Sequence, residues 1–147
     1  MSKAKGKGSE NIDKMVSTLR QWQDIERKAI DSCAEIMEKT KNPLIRQMME
    51  IIRNDSVQHH RVQQFIIDSM TKTPVSLRPE DLAEVWGQIE AHDELERQTI
   101  ELAKDLRERS TNPVANVLID YLLRDEQKHD TLLGDLEQLK QHMSKLS

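Results

Sequence analysis

The chain has one cysteine, Cys33, among its 147 residues, with only four glycines, four prolines, two tryptophans, one tyrosine and one phenylalanine. A single cysteine excludes an internal disulfide and a four-cysteine iron site, and it suits a reducing compartment, so a cytoplasmic location is expected. Aromatics at 3% and the shortage of glycine and proline argue against a protein of strands and tight turns. No apolar run is long enough for a signal peptide or a membrane span. The net charge of -4 comes from both signs mixed along the chain, which points away from nucleic acid and from an anionic membrane as partners.

What the chain does contain is charge, at 33%, beside 36% apolar residues, the balance of long helices with one face in solvent. The length fits one all-α domain. Sliding the sequence against itself gives a gap-free match at an offset of 70 residues. Asp24-Ile25-Glu26-Arg27 lies over Glu94-Leu95-Glu96-Arg97, Ile30 over Ile100, Glu38 over Glu108, Asn42-Pro43 over Asn112-Pro113, Asp55 over Asp125 and His59 over His129. Amphipathic helices align by period alone, but period does not explain matching Asn-Pro turns together with matching acids and histidines. The reading is one helical hairpin written twice.

Within each copy apolar positions recur every three or four residues on both sides of the Asn-Pro pair, predicting helix, turn, helix. Pro43 and Pro113 fit the first helical position, with Asn42 and Asn112 as caps. The expected organisation is a disordered basic tail over 1–9, a hairpin over 10–70, a linker over 71–78 and a hairpin over 79–145, the two hairpins forming one four-helix bundle. The linker of about eight to ten residues spans at most roughly 35 Å. That favours plain up-down order, or hairpins exchanged between two chains.

The apolar stripes are interrupted at corresponding places by Glu26, Asp55, His59, Glu96, Asp125 and His129. Stacking the stripes brings these six to mid-height of the bundle interior. Four ionised carboxylates in an apolar core repel one another and lose their hydration, so they must be protonated, paired with cations or bound to metal. No Lys or Arg falls on the inner stripes at this level. Two divalent ions would neutralise four carboxylates, and two imidazoles complete an oxygen and nitrogen ligand set suited to iron or manganese.

Over roughly residues 11–143 the chain resembles the ferritin-like, rubrerythrin-like proteins, in which two helices each give one acid and two others each give Glu-x-x-His. Glu126 to His129 has that spacing, and Glu26 and Glu96 match the lone glutamates. The resemblance implies a ferritin-like fold with two iron or manganese ions per bundle. The first copy departs from the pattern, with Ser56 where the motif glutamate belongs. Two ligand sets follow: Asp55 and Asp125 replace the motif acids, since i and i+4 share a helix face, or Glu126 alone ligates.

Other residues read as packing. His92, one turn before Glu96, is a candidate ligand or ligand partner, but its counterpart Trp22 favours a half-buried packing role. Tyr121 reads as a core-edge residue, Cys33 as a small core residue, the Met48-Met49 pair as core filler, and His60 and His142 as surface. The function expected is a redox-active non-haem metalloprotein reacting with peroxide or dioxygen, or oxidising Fe(II). It would draw on an external electron donor and form a homo-oligomer, a dimer. The competing expectation is a metal-free helical dimerisation or scaffold module.

Overall fold

The computed structural model describes the backbone of residues 2–146 and the side chains of residues 6–142. Four helices account for the secondary structure of the described residues: α1 (Ser2–Lys39), α2 (Pro43–Thr71), α3 (Pro79–Arg109) and α4 (Pro113–Leu146). The chain divides into two compact units, Met1–Val75 and Ser76–Ser147. In the first α1 packs on α2, and in the second α3 packs on α4.

Both hairpin turns are built by the Asn-Pro pair. Asn42 Oδ1 accepts from the backbone N–H of Leu44 at 3.0 Å and of Ile45 at 3.2 Å. Asn112 Oδ1 accepts from Val114 at 2.9 Å and Ala115 at 3.2 Å. Each asparagine thus satisfies two of the donors that a helix start leaves open, while the proline has no N–H to satisfy. Arg46 donates to the carbonyl of Met37 at 2.8 Å and ties the end of α1 to the start of α2. In the second hairpin Arg107 Nε reaches Asp120 Oδ1 at 2.8 Å and ties α3 to α4.

Helix α3 begins differently. Asp81 accepts from the backbone N–H of Arg78 at 3.1 Å, and the Arg78 guanidinium bonds the same carboxylate at 3.1 Å. At the far end of this hairpin Lys140 Nζ sits 3.8 Å from the centre of the Trp86 ring, so a cation on α4 covers an aromatic face on α3.

The stretch 1–9, expected to be disordered, carries helix from Ser2 onward. The described side chains there, residues 6–9, are all exposed. Extending an existing helix costs little, so the first turns need no packing to form.

The interior of each hairpin is small. Leu19, Cys33 and Ile67 are buried in the first, Leu82 and Ile119 in the second. Cys33 therefore occupies the core position its spacing predicts. Buried polar side chains are as numerous: Gln23, Glu26, Ser56, Gln63 and Glu96. Gln23 is fully enclosed and bonds across the helix pair, donating to the His60 carbonyl at 3.3 Å and to Gln64 Oε1 at 3.0 Å.

Two packing expectations are corrected. Of the Met48-Met49 pair, Met48 is exposed and Met49 is half-buried, so neither is enclosed in the core. His60 is half-buried rather than on the surface, with Nε2 enclosed and without a hydrogen-bond partner. His142 is exposed as expected, and Tyr121 is half-buried. Many stripe positions, among them Ile12, Met15, Leu106 and Leu122, keep a third or more of their surface in solvent. A two-helix pair covers only one side of an apolar stripe this wide.

Candidate metal centre

On α3, Glu96 falls on the side that faces α4, and its neighbour from the Glu-x-x-His run of α4 is Glu126. Glu96, Glu126 and His129 each offer one ligand atom, and the three atoms lie within 4.8 Å of one another. Among the described residues this is the one group of three such side chains so close together. Glu96 is buried, and its Oε2 is enclosed with no hydrogen-bond partner. Its other oxygen is crowded: His92 Nε2 donates to Glu96 Oε1 at 2.9 Å, and His129 Nδ1 stands 3.5 Å from the same atom.

Neighbouring side chains hold the other members. Thr99, one turn beyond Glu96, donates its hydroxyl to Glu126 Oε2 at 2.8 Å. Asp125 is outside the group of three. One oxygen pairs with Lys128 at 2.8 Å, and the other lies 3.5 Å from His129 Nε2, the ring nitrogen away from Glu96. One carboxylate thus stands on each side of the imidazole.

Proximity polarises the two glutamates in opposite directions. Glu126 is pushed above the ordinary carboxyl range, chiefly by its hydrogen bond with Glu96 and also by burial. Glu96 is held below it, first by Glu126, with His129 and His92 acting in the same sense. Two acids this close share one proton between them unless a cation takes its place. A second acid pair flanks the first: Asp93 is raised by its hydrogen bond with Asp130 and by burial. A cavity of about 420 Å³ runs beside this second pair, lined by Trp86, Asp93, Arg97, Asp130 and Glu137 among others. On the other side of Glu126 and Thr99 lies an apolar hollow of about 240 Å³, lined by Leu102, Leu106, Ile119 and Leu122.

The corresponding positions of the first hairpin hold less. Glu26 is buried and accepts from Trp22 Nε1 at 3.1 Å, while His59 Nδ1 lies 3.5 Å away. Ser56 is buried where the second hairpin has Glu126. Asp55 is half-buried, His59 is mostly exposed, and no group of three ligand atoms forms there among the described residues.

Of the eight residues singled out by sequence, Glu96, Glu126 and His129 come together, with His92 and Asp125 in contact around them; Glu26 and His59 meet in the other hairpin. His92 is not a half-buried packing residue, because more than half its side chain is exposed while the ring bonds Glu96. The sequence reading missed Thr99 and the pair Asp93 and Asp130. Thr99 was within reach of it, since i+3 from Glu96 is the same face of the helix. The aspartates were hidden, because their counterparts Gln23 and His60 carry no acid. No protein-family model, curated protein or solved structure matches the chain.

Proposed function

We propose that this chain is a non-haem metalloprotein of ferritin-like, rubrerythrin-like type that holds iron or manganese at Glu96, Glu126 and His129. The observation that carries the reading is the buried Glu96 carboxylate, its Oε2 enclosed and bonded by no protein donor, in a group whose ligand atoms from Glu96, Glu126 and His129 lie within 4.8 Å of one another. A buried carboxylate oxygen that meets neither a donor nor a proton costs free energy, and a divalent cation in place of a proton shared by the two acids removes that cost. The donor set of two carboxylates and one imidazole suits iron or manganese better than a thiolate-seeking metal.

In this reading Glu96 and Glu126 bind the ion and neutralise it. His129 would offer Nδ1, the nitrogen nearer Glu96, and Asp125 would orient the ring from the Nε2 side, a common support for a ligating histidine. Thr99 fixes the rotamer of Glu126, and His92 holds Glu96. When bound, the metal supplies one-electron chemistry toward peroxide or dioxygen, with Fe(II) as the alternative substrate. An external donor returns the electrons. The duplication, the four-helix bundle and a centre of two ions belong to the same proposal, supported by the 70-residue offset of the Asn-Pro turns.

Ser56 and the shared proton favour a second reading, a metal-free module whose polar residues set helix register. Elemental analysis of protein purified without chelator separates the two. Stoichiometric iron or manganese, lost in Glu96→Ala and His129→Ala, is the expected result. Wild-type protein that is metal-free and takes up neither Fe(II) nor Mn(II) would falsify the proposal in favour of the scaffold.

A further inference from the structure

We infer that two copies of this chain build one two-metal centre, each copy giving Glu96, Glu126 and His129 from its second hairpin. The inference rests on the metal-binding reading above and states where the remaining ligands come from. Three ligand side chains from one hairpin are half of the six that a dinuclear carboxylate site uses. A twofold axis through the site doubles them to four carboxylates and two imidazoles, since in such an interface both copies present the same patch. Four carboxylates neutralise two divalent ions, and the six side chains are a lone acid from each of two helices with Glu-x-x-His from each of the other two.

The first hairpin is the poorer complement. Ser56 stands where Glu126 would be repeated, so Glu26 and His59 bring the total to three carboxylates and leave one positive charge uncompensated. Asp55 does not repair this. It is half-buried and joins no group of three ligand atoms with Glu26 and His59 among the described residues.

The surface around the half-site also needs a cover. Leu102 is 68% exposed, Leu106 50% and Leu122 49%, and these three line the apolar hollow that opens beside Glu126. A second copy seated about the axis covers this leucine surface and completes the coordination in one contact, which links metal uptake to dimerisation.

The test is a Mn(II) titration of the full chain followed by sedimentation equilibrium and electron paramagnetic resonance. Expected are one Mn(II) per chain, two per dimer, a spectrum of exchange-coupled Mn(II) pairs, and a dimer dissociation constant lowered by about tenfold or more on loading. The double variant Glu26→Ala/His59→Ala keeps that stoichiometry and that spectrum, whereas Glu126→Gln loses both. Two Mn(II) per monomeric chain overturns the inference, as does loss of the coupled spectrum in Glu26→Ala/His59→Ala; either result leaves the metal-binding reading standing. The wild-type sedimentation result decides even where a variant fails to fold. Wild-type protein that binds no Mn(II) and no Fe(II) overturns both.

Discussion

His92 reaches the buried Glu96, although its side chain is largely in solvent. Its ring bonds Glu96 Oε1 at 2.9 Å and competes for that oxygen with His129 at 3.5 Å. Residues that hold a ligand commonly contribute one to two orders of magnitude to metal affinity. His92→Ala is therefore expected to weaken Mn(II) binding about tenfold while leaving its stoichiometry unchanged, as read by calorimetric titration. An unchanged affinity would return His92 to the packing role its counterpart Trp22 suggests. The choice between Asp125 and Glu126 also belongs to this scale. Both lie on the inner side of α4, one four and the other three residues before His129, and sequence spacing permits either. Only the phase of α4 against α3 puts Glu126 beside Glu96 and turns Asp125 toward Lys128 and the back of the imidazole.

The helix starts show what local chemistry alone achieves. Asn112 satisfies two backbone donors with one oxygen, and losing such a cap costs about 1 kcal/mol. Asn112→Ala is expected to lower the free energy of unfolding by that amount in a urea titration, with the denaturant slope unchanged. Helix α3 lacks an asparagine cap and relies on Asp81, whose carboxyl the Arg78 guanidinium and backbone N–H hold below the ordinary range. A depressed acid contributes its stability above its unfolded pKa of about 4 and loses it as pH falls through the lower folded value. Amide exchange in the first turn of α3 should therefore accelerate relative to the α4 start once pH drops below about 4, and Asp81→Asn should abolish the difference. An acid-insensitive first turn would mean that Pro79 alone holds the helix start.

At the scale of the whole molecule the relevant quantity is the small amount of apolar surface each hairpin buries. Two or three aliphatic or cysteine side chains per unit are enclosed, beside buried Gln23, Gln63, Glu26 and Glu96, while Ile25, Phe65, Leu95 and Leu132 remain more than half exposed. Hairpins this open gain stability from any further surface that covers the stripe. If that surface is a second chain, the thermal midpoint should rise as chain concentration is raised a hundredfold, and rise further with Mn(II). A midpoint independent of concentration would remove the second chain as the cover.

The amino-acid sequence by itself determined the four helices, the two Asn-Pro turns and the presence of acids and histidines on the apolar stripes. Each follows from interactions within a few residues: a proline without an N–H, an asparagine within reach of two open donors, an apolar period near 3.6. Tertiary structure alone decided which of those polar residues meet. A helix face is about a third of the cylinder, so several side chains three or four residues apart share it, and only the rotation of one helix against its neighbour selects among them. That rotation makes a group of Glu96, Glu126 and His129 in one hairpin, leaves Glu26 and His59 with a buried serine at the third position in the other, and half-buries His60 where the sequence reads as surface.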